Sequence, residues 1–367
     1  MPKKTVGIIF GGKSAEHEVS LQSAKNIVDA IDEEKYKVVL IGIDKRGKWH
    51  INNPSSYLIN ADDPTSIRLN QSEQTVALVP GKTDHQLIHA TDARLIEQLD
   101  AVFPIVHGTL GEDGSLQGMM HLANLPFVGT DVLGSAICMD KDIAKRLLQA
   151  AGLNVAKGLT CSHADRQEMT FAKAEKEVGV PMFIKPANQG SSVGVSKVSG
   201  EEAFDQALDE AFQYDRKVVI EETLNGREIE CAVLGNDDPK ASVPGEILPQ
   251  TEFYSYESKY IDESGAKLEM PADLSDEAAR KVQATAVKAF RTLECEGLAR
   301  VDFFLTDDGD VYVNEVNTLP GFTRISMYPK LWELSGVAYP ELIDQLIKLA
   351  IQRHERNSKK KSAVWDD

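Results

Sequence analysis

The stretch Ala299-Arg-Val-Asp-Phe-Phe-Leu-Thr-Asp-Asp-Gly-Asp-Val-Tyr-Val-Asn-Glu-Val-Asn317 decides how the rest of the chain is read. Residues 299–305 and 311–317 both alternate apolar with polar side chains and flank Asp308-Gly309, a strong hairpin signal. A two-residue loop there pairs Asp307 with Asp310, which sets Asp302 opposite Glu315 and Arg300 opposite Asn317. Period two gathers these four side chains on one face, completed by Phe304 and Val313. It leaves Val301, Phe303, Leu305, Tyr312 and Val316 for the core. Directly opposed residues hold their Cβ atoms roughly 4.5–5.5 Å apart, and two carboxylates so placed repel unless a cation intervenes. Asp302, Glu315 and Asn317 offer the oxygen donors that suit Mg²⁺, which keeps waters and substrate phosphates in its shell. Neutralisation by Arg300 alone, in an ordinary ion-pair cluster, is the competing account.

Phosphate-binding signals precede this ribbon. Phe183-Ile184-Lys185-Pro186 reads as a strand, and Gly190-Ser191-Ser192-Val193-Gly194 as a loop whose backbone N–H groups can fold onto the anion that Lys185 meets. A plain flexible turn is an equal reading of that loop. Val218–Glu222 supplies an extended edge for an adenine together with Glu221. Glu228, six residues beyond Glu222, is a candidate for a ribose hydroxyl, and Lys141 at a helix start is a further phosphate candidate, a surface lysine being the default alternative. After the ribbon, Pro320-Gly321 gives an N–H free of steric cover beside Arg300, fit to bind a developing oxyanion; a simple turn is the alternative. Lys259-Tyr260 fall in an irregular segment, 249–271, that could close over the site.

The first third alternates strand and helix. Val6–Phe10 ends in Gly11-Gly12, a helix runs from about Glu18 to Asp32, and Val38–Ile43 and Ala101–Val106 are further strands. The rhythm implies an open parallel sheet with ligands beyond its carboxyl ends. Ser14, Glu16 and His17 follow the first strand. His107-Gly108 and Gly111-Glu112-Asp113-Gly114 follow the last. Residues 52–72 read as a surface excursion. Gly7–Ser14 formally matches a P-loop, but the cradle positions would be Ile8, Ile9 and Phe10, which belong inside a sheet. Short strands and helices from Met182 to Leu248 form an α+β region, with helices over 139–151, 165–178, 201–214 and 276–294 and a last one from Tyr339.

Across 367 residues, 40 Lys and Arg against 57 Asp and Glu give a net charge of −17 and a pI near 5.0, which disfavours nucleic acid and anionic membrane as partners. With 42% apolar and 26% charged residues the chain is not of the disordered class. No apolar run suits a membrane span or a signal peptide. Four scattered cysteines point to reduced thiols and a cytoplasmic location.

With these residues in hand, the sequence resembles the D-alanine–D-alanine ligases, within the ATP-grasp fold. The resemblance spans essentially the whole chain. It rests on residues 11–20 (Gly-Gly-Lys-Ser-Ala-Glu-His-Glu-Val-Ser), 107–114 (His-Gly-Thr-Leu-Gly-Glu-Asp-Gly), Met139-Asp-Lys141 and 185–194 (Lys-Pro-Ala-Asn-Gln-Gly-Ser-Ser-Val-Gly). Lys259-Tyr260, Arg300-Val-Asp302 and 314–323 (Asn-Glu-Val-Asn-Thr-Leu-Pro-Gly-Phe-Thr) complete it. The resemblance implies an α/β and α+β architecture: an N-terminal open parallel-sheet domain over 1–138, a central ATP-grasp subdomain over 139–225 and a C-terminal one over 226–367. Glu16 would receive the ammonium of the first D-alanine, with His107 nearby. ATP would lie against Lys141, Lys185, Ser192, Glu221, Glu222, Leu224 and Glu228, with Lys259 on its phosphates. Two Mg²⁺ ions, with Mn²⁺ able to substitute, would be held by Asp302, Glu315 and Asn317, Glu315 being shared. Arg300 and the Gly321 N–H would stabilise the oxyanion, and Ser326 and Met327 would stand near the second substrate's carboxylate. Ser191 and Tyr260 would tie a closing loop to Glu16, and a homodimer is expected. The implied reaction forms D-alanyl-D-alanine for peptidoglycan through an acyl phosphate. Tyr260 fits an amino acid as second substrate rather than D-lactate. The rivals are another ATP-grasp carboxylate–amine ligase, a P-loop nucleotide switch on Gly7–Ser14, and a non-catalytic nucleotide-binding scaffold.

Overall fold

A computed structural model describes residues 2–249 and 266–360. The N-terminal sheet has the order β3 (Trp49–Asn52), β2 (Tyr36–Ile43), β1 (Lys4–Gly11) and β4 (Ala101–Ile105). β1 runs parallel to both neighbours, Ile8 facing Leu40 on one side and Phe103 on the other, and β3 adds an antiparallel edge. Apolar side chains on both faces of β1 explain its unbroken hydrophobic run. Helix α1 (His17–Ala30) covers one face through Leu21, Ala24 and Ile27, while α2 (Ser115–Leu122) contributes Leu116 and Met120 to the other. Gly7 is an interior position of β1, so the P-loop pattern is a strand.

The 52–72 segment departs from expectation. It carries a short ribbon, Leu58–Ile59 with Arg68–Leu69, and buries Tyr57, Ile67 and Leu69 in the core under β1. Tyr57 meets Phe10 edge-on at 5.6 Å between ring centroids. The apolar residues of this segment fall in two short groups, Tyr57-Leu58-Ile59 and Ile67 with Leu69, which show no sustained period although three of them reach the core.

Helices α3 (Val132–Met139) and α4 (Lys141–Ala150) break at Asp140, whose side chain caps α4. The expected 139–151 helix therefore starts two residues later, with Lys141 first in it. The central antiparallel sheet has the order β7 (Ser196–Val198), β6 (Met182–Pro186), β8 (Lys217–Glu222), β5 (Gly158–Ser162). Helices α5 (Phe171–Val178) and α6 (Glu201–Ala211) pack on it through Ala174, Phe204 and Leu208. The helix expected over 165–178 is divided: residues 163–168 form a separate 3₁₀ turn and α5 begins only at Phe171.

β8 pairs with β6 and β5 on its two sides, so it is an interior strand and not the free edge expected for an adenine. The backbone leaves the sheet only beyond Glu222, at 223–226, where Leu224 lies.

The third sheet orders β11 (Ala266–Glu269), β10 (Gly245–Pro249), β9 (Arg227–Gly235), β12 (Gly297–Leu305) and β13 (Val311–Asn317). β11 occupies part of the segment read as irregular; Lys259 and Tyr260 lie outside the described residues. Helix α7 (Asp276–Thr292) backs this sheet, packing Val282, Ala286 and Phe290 on Ile229, Cys231, Val301 and Phe303.

The β12–β13 ribbon corrects the expected turn. Leu305 faces Val311, Thr306 N–H donates to the Asp310 carbonyl at 3.0 Å, and the loop has three residues ending in Gly309 at φ +78°. A glycine in the left-handed region closes such a loop at no steric cost. The slip of one residue is undone at a bulge that takes up Asn314, so Asp302 does face Glu315 and Arg300 faces Asn317. Between turn and bulge the sides exchange: Val313 enters the core and Tyr312 joins Phe304 on the polar face, the reverse of the alternation read from the loop.

Helices α8 (Met327–Leu334) and α9 (Tyr339–Ser358) return the chain to the first sheet, where Leu342, Ile343, Leu346 and Ile347 share the core of Val6 and Ile8. Tyr36 hydroxyl donates to Asp344 at 2.9 Å across that junction. All four cysteines are free and buried, and two that are distant in sequence, Cys138 and Cys295, meet at 3.5 Å.

Candidate active site

The polar face of the third sheet forms one wall of a cavity of about 510 Å³. Three strands supply a row across it: Glu230 of β9 stands opposite Asp302 of β12, which stands opposite Glu315 of β13. Arg300 folds along its own strand and donates to both Asp302 oxygens, Nε and Nη2 each at 2.7 Å, while its Nε also lies 3.0 Å from Glu230. Asn317 Nδ2 donates to Asp302 at 3.0 Å. Asp302 and Glu230 thus share the guanidinium in this arrangement, while Glu315 has Lys141 at 3.8 Å. Among the described residues no three His, Cys, Asp or Glu side chains converge as a ready-made metal cage. The ribbon offers two carboxylates and an amide, a donor set suited to an ion that keeps water and phosphate oxygens in its shell.

Opposite the ribbon stand groups from the ends of the first sheet. Glu16 precedes α1, and Ser191 Oγ donates to its Oε1 at 2.5 Å. Ser191 and Ser192 both have left-handed backbones, φ +52° and +60°, a strained geometry for non-glycine residues that commonly marks functional loops. His107 Nδ1 donates to the Leu319 carbonyl at 2.9 Å and Nε2 meets Ser23 Oγ at 3.2 Å. Ser23 accepts from the Phe322 N–H at 3.1 Å, and Asn26 donates to the Phe322 carbonyl at 2.9 Å. One face of α1 therefore fixes the 318–323 loop that carries Gly321. A Cβ on Gly321 would lie 2.7 Å from Ser326 Oγ, so a side chain here would displace the hydroxyl that holds the Thr323 N–H. Ser326 does not cap α8; its hydroxyl ties back to the Thr323 N–H at 2.9 Å.

The half-buried carboxyl of Glu112 lies 3.7 Å from His107 Nδ1. Burial, helped by the charge of Glu16, pushes Glu112 up to about 7 against the opposing pull of His107. At His107 burial acts downward, but Glu112 and Glu16 outweigh it and the value rises.

Of the expected site residues, Glu16, His107, Ser191, Glu228, Arg300, Asp302, Glu315, Asn317, Gly321, Ser326 and Met327 line the cavity together. Lys141, Lys185, Ser192, Glu221, Glu222 and Leu224 do not line it. Lys141 joins the two groups: its Nζ donates to the Gln189 carbonyl at 2.6 Å and stands 3.8 Å from Glu315. Lys185 Nζ donates to Glu221 at 2.9 Å. Burial opposes the charge on Glu221, yet Lys145 and Lys185 together hold it at about 2. Glu222 accepts the Lys157 N–H at 2.7 Å.

Family models decide what this arrangement belongs to. The D-ala D-ala ligase N-terminus matches residues 5–130 and the D-ala D-ala ligase C-terminus matches residues 147–348. The chain belongs to the D-alanine–D-alanine ligase family. A D-alanine–D-alanine ligase of Shouchella clausii is 66% identical over the full length of both chains, and D-alanine–D-alanine ligase A of Escherichia coli is 59% identical over 99% of this chain and all of its own. Among solved structures, the D-alanine–D-alanine ligase of Coxiella burnetii superposes with a TM-score of 0.83 at 40% identity, covering 98% of this chain and 97% of its own. The VanG D-Ala:D-Ser ligase of Enterococcus faecalis gives 0.84 at 38% identity, over 95% of this chain and all of its own. The fold is the ATP-grasp fold of this family, with an N-terminal parallel-sheet domain.

Three members of the site were missed in the family reading of the sequence: the buried Lys145 and Glu230, and the half-buried Glu112. Period two along β9 places Glu228 and Glu230 on one face, away from Ile229 and Cys231, which would have found Glu230. Lys145 shares the apolar stripe of Ala144 and Leu148 on α4, where a lysine is out of place. Glu112 stood in a quoted motif without a role, and only the fold brings it to His107.

Proposed function

We infer that this chain joins two D-alanines into D-alanyl-D-alanine with conversion of ATP to ADP, for peptidoglycan precursor synthesis. The reading is carried by one observation: family models match both halves of a chain whose ribbon carboxylates face Glu16 and Gly321 across a single cavity. Glu16, oriented by Ser191, receives the ammonium of the first D-alanine. The carboxylate of that D-alanine takes the γ-phosphoryl group of ATP, releasing ADP, to become an acyl phosphate; the amine of the second D-alanine attacks its carbonyl carbon and expels phosphate. Arg300 and the Gly321 N–H oppose the negative charge on the carbonyl oxygen as the tetrahedral carbon forms, with Ser326 and Met327 beside the second carboxylate. Lys141 and Lys185 serve the phosphates together with Ser192 and Lys259. Glu221, Glu222, Leu224 and Glu228 frame the nucleoside.

Asp302, Glu315 and Asn317 would hold Mg²⁺, two ions with Glu315 shared, or Mn²⁺ in its place. Such ions supply neutralisation of the transferring phosphoryl group. Both Asp302 oxygens accept from Arg300 and would keep lone pairs for an ion, and Glu230 at 3.0 Å holds the guanidinium beside the cavity. No side-chain nucleophile is needed, because positioning and charge neutralisation suffice. Tyr260 completes the contact of Ser191 with Glu16 on closure and goes with an amino acid acceptor. The division into 1–138, 139–225 and 226–367, a homodimer and a cytoplasmic location belong to the same reading. Among the described residues no helix is long and apolar enough to cross a membrane. A coupled assay of phosphate release with ATP, Mg²⁺ and D-alanine tests the reading, with D-serine and D-lactate as alternative acceptors. Absence of stimulation by D-alanine would refute it.

A further inference from the structure

Helix α4 carries Lys145 one turn after Lys141, and the reaction outlined above gives it no task. Its side chain is buried beside Ala144 and Leu148 on the inner face of the helix. There its Nζ donates to Glu221 Oε1, while Lys185 Nζ donates to Oε2 of the same carboxylate at 2.9 Å. Glu221 is only 3% exposed. Buried charges are costly, and a cluster serving stability alone gains most when cations and anions balance. Here two ammonium groups share one carboxylate, so within hydrogen-bond reach the cations outnumber the anions.

The two lysines differ in what they can reach. Lys185 belongs to β6, the strand that runs into the Gly190–Gly194 loop, and Glu315 and Glu228 of the cavity wall add to the pull of Glu221 in raising its pKa against burial. Lys145 stands behind the carboxylate on a helix, where burial pulls its pKa down. Without Lys145, both Glu221 oxygens become available to Lys185. That ammonium would then sit in a balanced pair, with its charge spent on a neighbour and no longer offered to an incoming anion.

We propose that Lys145 is a positioning residue of the nucleotide pocket: it clamps one oxygen of Glu221 so that the other holds Lys185 in a single orientation, with charge to spare for a phosphate oxygen of ATP. The proposal rests on the assignment of ATP as substrate. Lys145→Met is expected to raise KM for ATP roughly tenfold to a hundredfold, the scale of losing one charged hydrogen bond. The loss should appear in KM for ATP rather than in kcat or in KM for D-alanine, and Lys145→Arg should recover part of it. In a Glu221→Gln background the same substitution should cost less than about threefold, because the carboxylate it restrains is gone. Full multiplication of the two losses would overturn the proposal. So would a Lys145→Met protein that melts earlier but keeps its KM for ATP. Should that variant fail to fold, Lys145→Gln carries the same comparison. Calorimetric binding of a non-hydrolysable ATP analogue keeps the two failures apart. Unchanged analogue affinity in the variant rejects the role of Lys145, whereas an unmodified protein that binds no analogue rejects the ATP assignment itself.

Discussion

The central sheet and the β12–β13 ribbon solve opposite electrostatic problems with the same device. On the central sheet Lys145 and Lys185 share Glu221, so cations outnumber anions. On the ribbon Glu230, Asp302 and Glu315 stand in a row with Arg300 among them and Lys141 3.8 Å from Glu315, so anions outnumber cations. Each cluster is stabilised within itself but not neutralised. The unbalanced charge has the sign opposite to the ligand proposed for it, phosphate in one case and a divalent cation in the other. Binding then completes the balance, and the cost of burying excess charge in the empty protein is offset when the ligand arrives.

The contrast can be broken hardest on the ribbon. Asp302→Asn removes one charge from the row but keeps a similar shape, and turnover in saturating Mg²⁺ should fall by roughly 10²–10³, comparable to losing one charge-stabilising group. The melting temperature should stay close to that of the unmodified protein, as measured by calorimetry. Near-normal turnover in excess Mg²⁺ would mean that Arg300 alone neutralises the ribbon. On the central sheet, Lys185→Ala should raise KM for ATP by about tenfold to a hundredfold. Lys13→Ala should shift KM for ATP by less than about twofold, since Lys13 is an exposed residue after a strand. The opposite ranking in steady-state kinetics would restore the P-loop reading.

A smaller effect separates both clusters from the loop that joins them to Glu16. Ser191→Ala removes the 2.5 Å hydrogen bond to Glu16 and should raise KM for the first D-alanine by roughly tenfold while leaving KM for ATP nearly constant. Equal changes in both constants would show that the loop acts on the nucleotide and not on the amino acid.

The same contrast marks how far the sequence could be read. The facing of Asp302 with Glu315 was legible because alternation and an Asp-Gly turn fix faces and approximate register. It came out right even though the loop has three residues, because the bulge at Asn314 restores what the turn displaces. Tyr312 and Val313 lie between those two irregularities, and their sides were read wrongly for that reason. A bulge is a non-local compromise between turn geometry and core packing, and no single strand announces it. The interior place of β8 was likewise hidden, since strand order depends on pairing between distant segments. Lys145 was legible in principle, as a lysine on an apolar stripe, but its partner Glu221 is 76 residues away and only the fold supplies it.

The least of the expected effects tests the wall of the cavity that belongs to neither cluster. Glu112 is raised from 4.5 to about 7 by burial and by the charge of Glu16, against His107. A carboxyl whose folded value lies above its unfolded one contributes stability that is fully present below the unfolded value and is lost as pH rises through the folded one. The ligand-free protein should therefore lose stability between about pH 4.5 and pH 7 on account of this group. Glu112→Gln keeps the neutral hydrogen-bonding shape at every pH, so its melting temperature should fall less over that interval. At pH 8 the variant should melt above the unmodified protein, by an amount on the order of 1 kcal/mol. Parallel melting curves from pH 5 to 8 would mean that Glu112 is ionised throughout. The His107–Glu112 contact would then be an ordinary ion pair, and the excess of negative charge seen on the ribbon would extend across the cavity to Glu16.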